Sequence, residues 1–326
     1  MSPSLPRPFP RGTQDPHASE VSSGPRHGRP SRQHLLSPLP RPAELAERIE
    51  HASGFDRVTG PITRRIRRTL RRSAAADVLH GVPIGQPAHP PLAMLPVGCW
   101  TSAALLDLLP GNSKAARALI AAGIAGAAPA AATGIADWSE LHREQQRVGL
   151  VHAASGATAT ALYSASLVAR MAGRERGGKL LSLGGLTVAA AGGYLGGHLA
   201  FRLGAGSSHA EPVAHLAALG WHDLCRVRDL PDGRPVHLTL GYVSMLVLRR
   251  GTEVSALADR CAHLGGPLHQ GRLVAAGSDV CVVCPWHGST FRIADGTVVH
   301  GPATARQPAF ESRITESGRV QVRPRT

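Results

Sequence analysis

The sequence predicts a multi-domain chain, an all-α bundle of four transmembrane spans followed by a small all-β domain. Three observations carry this expectation. Between Pro91 and Leu203 the chain is apolar in four blocks, near 91–109, 115–136, 148–169 and 180–203, each close to the roughly 20 residues needed to cross hydrocarbon. The connectors between the blocks are short and polar: Gly111 to Lys114, Asp137 to Arg147, and Arg170 to Lys179. From Glu211 the pattern changes to alternating segments broken at Asp232-Gly233, Arg250-Gly251, Asp295-Gly296 and Ser317-Gly318, which reads as strands joined by tight turns.

Within the blocks Gly, Ala, Ser and Thr dominate and charge is confined to Asp107, Arg117 and Arg202 near their ends. Small residues suit close helix packing in a bilayer, and the polar stripe that a soluble bundle shows on each helix is absent. Ahead of the blocks, residues 1–42 are rich in Pro, Arg, Ser and His without an apolar period. They are expected to be a disordered basic tail with no secretory signal. Residues 43–77 form a weakly amphipathic, cationic helix region with Arg64, Arg65, Arg67, Arg68, Arg71 and Arg72, solvated or lying on anionic lipid headgroups. The remaining divisions are a helical domain at 78–204, a linker at 205–218 and the β-domain at 219–326.

The balance of 36 Lys+Arg against 22 Asp+Glu is carried largely by the first 72 residues, without interleaved aromatics. Membrane lipid is therefore an expected partner and nucleic acid is not. Five cysteines, Cys99, Cys225, Cys261, Cys281 and Cys284, are an odd number in a long chain and do not describe a disulfide scaffold.

The chemistry is concentrated in Cys261-Ala-His263, twenty intervening residues, and Cys284-Pro-Trp-His287-Gly288. Two thiolates and two imidazoles complete the four ligands of a [2Fe–2S] cluster when each Cys–His pair gives its thiolate to one iron and its imidazole to the other. Both pairs must then sit on short loops that face each other, and Gly265, Gly266 and Gly288 allow such loops to close. Two Cys and two His also suit zinc, but Cys-x-His is tighter than the usual zinc pair.

Over residues 219–323 the sequence resembles the Rieske ferredoxin family. The matching positions are Cys261, His263, Gly265, Pro267, Leu268, Gly271, Cys284, Pro285, His287, Gly288, Phe291, Gly296 and Gly301-Pro302. The resemblance implies a [2Fe–2S] cluster held by Cys261, His263, Cys284 and His287, surrounded by Gly265, Gly266, Pro285, Trp286, Gly288 and Ser289. Quinol-oxidising members carry two further cysteines as a disulfide; here those places hold Gly266 and Trp286, the form of Rieske ferredoxins and ring-hydroxylating oxygenases. Ser289 can donate a hydrogen bond to the cluster and Phe291 cannot, which implies a low potential. Arg292 stands where the family usually has an acid, and Cys281 is read as a buried strand residue. Only 39 residues follow His287, too few for the mononuclear-iron domain of an oxygenase. The chain is thus expected to pass single electrons to or from a reductase or oxygenase partner, with no catalytic residue of its own.

The stretch from Val78 to Leu109, with later segments at 134–141, 147–154 and 192–201, resembles an uncharacterised family of four-helix bacterial membrane proteins. Members often carry two histidines before the first span; here His89 is present and Gln86 takes the earlier place. Four spans with short loops bring His89, Asp137, His152 and His198 to one membrane face, the face from which the β-domain emerges. Two readings follow: a haem or quinone site that would make the chain a membrane oxidoreductase, or interfacial histidines that cap helices or bond carbonyls. Charges on the short loops place the termini outside, but roughly 90 signal-free residues would then have to cross, so the β-domain is assigned to the cytoplasm of a multi-pass protein.

Overall fold

The computed structural model describes residues 41–70 and 73–325. The expected disordered tail, apart from its last two residues, and Arg71 and Arg72 lie outside this range. The cationic region is three helices rather than one: α1 (Pro42–His51), α2 (Asp56–Leu70) and α3 (Ala74–His80). Ser73 starts α3 by accepting the Ala76 N–H at 3.2 Å, an N-cap. Gly81 ends it in the left-handed region at φ 87°. A Cβ there would lie 2.1 Å from the Gln86 carbonyl, so the sharp turn into the first long helix requires glycine.

Four long helices follow: α4 (His89–Asp107), α5 (Ser113–Ser139), α6 (Arg143–Met171) and α7 (Glu175–Gly197), the last continued by a π-helical turn over His198–Arg202. The hairpins α4–α5 and α6–α7 pack closely, and α5 on α6 and α4 on α7 close the ring, an up-down-up-down bundle. Four helices therefore match the four apolar blocks, but the count of spans is narrower. Among the described residues, two helices, Ser113–Ser139 and Glu175–Arg202, are long and apolar enough to cross a membrane. The physical reason is visible in α6, which opens on Arg143, Glu144, Gln145, Gln146 and Arg147 and is diluted by Ser and Thr.

The bundle keeps its charges at its two ends. At one end the buried Arg170 guanidinium forks onto Asp107 at 2.8 and 2.5 Å, while the Ser166 and Ser182 hydroxyls accept two further N–H groups at 3.1 Å. At the other, Arg147 forks onto Asp56 at 2.7 and 2.8 Å and donates to the Glu50 carbonyl at 2.6 Å. His198 pairs with Glu50 at 2.5 Å and Arg202 with Glu47. These contacts bolt α1 and α2 across the bundle end.

The β-domain has two antiparallel sheets. The larger runs in the order β1 (His222–Arg226), β10 (Arg319–Pro324), β9 (Ala309–Ile314), β4 (Glu253–Ala258), β3 (Val243–Arg250) and β2 (Pro235–Leu240). The smaller is β5 (Arg272–Ala276), β6 (Asp279–Val283), β7 (Thr290–Arg292) and β8 (Val298–His300). All four turn glycines expected from the sequence, Gly233, Gly251, Gly296 and Gly318, have positive φ. Cys281 is a fully buried residue of β6, and Arg292 is neutralised by Asp279 at 2.8 Å and Asp295 at 3.1 Å.

The segment at 205–218 packs against the β-domain. Ala210 is buried in the core beneath the cluster loops, Val213 and Ala217 are buried in the core of the larger sheet, and the His209 N–H donates to the Ala262 carbonyl at 2.8 Å. Its small apolar residues are consumed as packing. The β-domain also grips the helices directly: Asp77 of α3 accepts the Gly301 N–H at 2.9 Å and bonds His300 Nδ1 at 2.8 Å.

Removing one partner of a buried ion pair strands the other charge. Asp107→Ala should therefore lower the stability of the detergent-solubilised protein by about 3–5 kcal/mol. The double variant D107L/R170M should recover most of that loss in thermal unfolding, because both charges are then gone. Equal behaviour of single and double variants would show that the pair is not a structural bolt.

Candidate iron–sulfur site

Cys261 and His263 lie on the loop between β4 and β5, and Cys284 and His287 on the loop between β6 and β7. The two loops close by the same backbone device. The Cys261 N–H donates to the Gly266 carbonyl at 2.8 Å and the Gly265 N–H to the Cys261 carbonyl at 2.8 Å. Likewise the Cys284 N–H donates to Ser289 at 2.8 Å and the Gly288 N–H to Cys284 at 3.1 Å. In each loop the glycine four residues after the cysteine takes a positive φ, 75° at Gly265 and 83° at Gly288, which a side chain would resist. The result is two hairpin tips that each present one thiol and one imidazole.

These four side chains meet. The His263 and His287 rings are 5.0 Å apart and nearly perpendicular. The Cys261 thiol donates to Cys284, and that hydrogen bond pushes Cys284 down to about 7 and Cys261 up. Burial holds both imidazoles in the neutral, lone-pair form: His263 lies well below its ordinary value, and His287 is pushed down to about 4 by burial and then by Arg67 and His142. His263 Nδ1 is buried with no hydrogen-bond partner among the described residues, a costly state for a ring nitrogen unless something coordinates it. Gly266 completes the cradle: a Cβ there would lie 2.9 Å from Cys284 Sγ and 3.0 Å from the Trp286 ring. The donor set, the orphaned nitrogen and this tight wall fit a [2Fe–2S] group.

The two places where a loop disulfide was not expected are in contact, the Trp286 indole lying against the bare Cα of Gly266. Ser289 is fully buried and accepts the Ala303 N–H at 3.0 Å, so its own hydroxyl proton remains to be donated inward. Pro285 and Trp286 are exposed at the loop tip, and Phe291 is fully buried below the site.

Several residues that hold the site carry no motif signal. Buried Gln307 donates to the carbonyls of Ala258 and Arg260 at 2.7 Å and accepts the Ala262 N–H at 2.9 Å, bracing the first loop. Asp259 accepts the His269 N–H at 2.7 Å and bonds its ring at 2.8 Å. From the helical half, the His142 ring at the α5–α6 turn lies 5.8 Å from His287 and 5.6 Å from Trp286. Asp137 and His263 line one small cavity between the two halves.

The four membrane-half residues grouped from sequence do not form one site. Asp137 pairs with His80 at 2.8 Å and His198 with Glu50. Only His89 and His152 come together, with rings 6.0 Å apart. Each bonds a backbone carbonyl through Nδ1 at 2.8 Å, His89 that of Ala130 and His152 that of Gly192.

Comparison with known proteins agrees with this geometry. Residues 220–311 match the family described as the Rieske [2Fe-2S] domain, and residues 85–209 match the predicted membrane protein family DUF2231. Over 100 residues the chain is 35% identical to apoptosis-inducing factor 3 of Homo sapiens, a match covering 31% of this chain and 16% of that protein. Over 102 residues it is 29% identical to the anthranilate 1,2-dioxygenase ferredoxin subunit of Burkholderia cepacia, covering 31% of this chain and 90% of that subunit. The solved ferredoxin of carbazole 1,9a-dioxygenase from Nocardioides aromaticivorans IC177 aligns over 32% of this chain and 98% of its own at 21% identity, with a TM-score of 0.30. The chain thus spans a small fraction of the human relative and nearly all of the bacterial ferredoxin subunit. It joins, in one polypeptide, a Rieske [2Fe-2S] domain and a helical domain of the DUF2231 family of predicted membrane proteins.

Proposed function

We propose that this protein is a multi-pass, membrane-anchored Rieske iron–sulfur protein that carries single electrons to or from a membrane-associated redox partner. The observation that carries the reading is the convergence of two loops with one backbone design on a buried His263 Nδ1 that has no hydrogen-bond partner among the described residues. Cys261 and Cys284 supply the thiolates and His263 and His287 the imidazoles. When bound, a cluster of this ligation takes up and gives back one electron at a time. Gly266 keeps the wall thin, Gln307 and Asp259 hold the first loop, and the Ser289 hydroxyl donates toward the sulfurs. Trp286, 51% exposed beside His287, offers the surface at which a redox protein docks. A reductase or an oxygenase is the class of partner, as the name of the ferredoxin relative suggests.

Anchoring rests on all four long helices. Two pass the test of length and apolarity alone. The outer surfaces of the others also present large apolar side chains, including Met94, Val97 and Leu105 of α4 and Val168 of α6, which fits a lipid-facing band. The α1–α2 layer with Arg57, Arg64, Arg65 and Arg68 exposed lies at the headgroup level, on the same side as the Rieske domain, which we place in the cytoplasm. The working division is a helical domain at 78–204 and a cluster domain at 219–326.

Purified full-length protein should contain two irons and two acid-labile sulfides per chain and show the low-average-g EPR signal of mixed Cys/His ligation. Zinc in their place would overturn the reading. The midpoint potential should fall in the lower part of the roughly −150 to +300 mV Rieske range, and Ser289→Ala should lower it further while leaving the EPR signal, since a hydrogen bond to sulfur is lost. An unchanged potential in that variant would show that the Ser289 proton points elsewhere.

Alkaline carbonate washing of membranes should leave the chain in the pellet, and detergent should release it. Release by carbonate alone would overturn the spanning assignment and leave a peripheral protein.

A further inference from the structure

We infer that the helical half holds a b-type haem, with His89 and His152 as its two axial ligands. The inference rests on the reading of that half as membrane-embedded and deepens it from an anchor to a redox domain. It starts from the tautomers. A backbone carbonyl only accepts, so the 2.8 Å contacts to Ala130 and Gly192 mean that both rings carry their proton on Nδ1, which leaves Nε2 of each as a bare lone pair. Donation of the far ring proton to a carbonyl is the arrangement that fixes and enriches a metal-ligating imidazole.

The two rings come from opposite hairpins of the bundle, His89 at the start of α4 and His152 within α6. Their centroids are 6.0 Å apart with planes at 89°. Two imidazoles on opposite sides of one metal, each with a metal–nitrogen bond of about 2.0–2.1 Å, have ring centroids separated by about 6 Å. The rings are seated in prepared places. A Cβ at Gly134 would lie 2.7 Å from His89 Nδ1, so that ring occupies room that only a glycine leaves, and one at Gly196 would crowd the His152 ring at 3.1 Å.

The charge decides the class of ligand. The partners of both rings are neutral carbonyls, whereas Asp137 is committed to His80 and Glu50 to His198. A bare divalent cation in hydrocarbon would demand anionic ligands. Iron in a porphyrin brings two negative charges of its own and needs only two neutral axial donors. The location is also apt. Ala130 and Gly134 stand nine and five residues before Ser139, the end of α5, so the pair lies roughly 8–14 Å below that end at 1.5 Å per residue. Asp137, three residues beyond Gly134, lines the cavity shared with His263.

The test uses the full chain, expressed with a haem precursor and purified in detergent. Reduced-minus-oxidised spectra and pyridine haemochrome content should give about one bis-imidazole haem per chain. His89→Ala and His152→Ala should each cut haem content by roughly tenfold or more while keeping the cluster EPR signal, and His198→Ala should keep the haem. His89→Met should retain haem with an altered ferric spectrum and a raised midpoint potential, which loss of folding cannot produce. Wild-type protein that lacks haem and fails to take it up on titration with hemin overturns the inference, as does haem retained in both alanine variants. Carbonate extraction reads the membrane assignment separately: a chain released by carbonate that still binds haem through these residues overturns that assignment and not the ligation.

Discussion

The site depends on one constraint, that two hairpin tips close tightly enough to bring two thiols and two imidazoles into a single small volume. Each tip achieves this by the same pair of backbone hydrogen bonds and one left-handed glycine, Gly265 or Gly288. Everything around the tips serves that closure. Gln307 ties three backbone groups of the first loop and its approach, Leu268 and Phe291 are fully buried beneath the tips, and Gly266 yields its side-chain space to the Trp286 ring. Because the polar groups of the tips are already bonded to their own backbone, the imidazoles remain free for a ligand rather than being drawn into the loop network.

A second layer of order joins the halves. Asp77 holds His300 and Gly301, and the His142 ring at the start of α6 lies 5.8 Å from the His287 ring. Each contact uses a polar group at the end of a helix, where backbone and side-chain bonding capacity is unspent. The charged ends and apolar middle of the bundle are one expression of the same economy: ionic groups gather where they can pair, and the interior is left to Ala, Gly and a few large side chains such as Trp100 and Tyr163, stacked at 4.3 Å.

Much of the β-domain was legible in the sequence because its signals are local. The Cys-x-His and Cys-x-x-His pairs, the glycines after them and the four turn dipeptides each describe geometry within six residues. The four helices were legible for the same reason, as blocks of uniform apolarity, although α6 shows that a helix can be long without being apolar throughout. What escaped was long-range. Nothing local in Gln307 shows that it braces a loop 45 residues earlier, and Asp77 finds its partners 223 and 224 residues away. The grouping of His89, Asp137, His152 and His198 rested on helix parity, which cannot choose among neighbours; Asp137 pairs with His80 and His198 with Glu50. The packing of the segment at 205–218 left no local signal either, since Gly, Ala and Ser read alike in a linker and in a tightly packed seam.

That seam has a consequence for how the protein trades with others. With Ala210, Val213 and Ala217 sunk into the β-domain and His300 fastened to α3, there is little slack chain on which the cluster domain could swing from a donor to an acceptor. A shuttle solves the problem of two partners by travelling. On the function proposed above, a docked domain would work instead as a fixed port, reached at the exposed Trp286 beside His287. Competition for that surface, rather than the length of a leash, would then set the traffic.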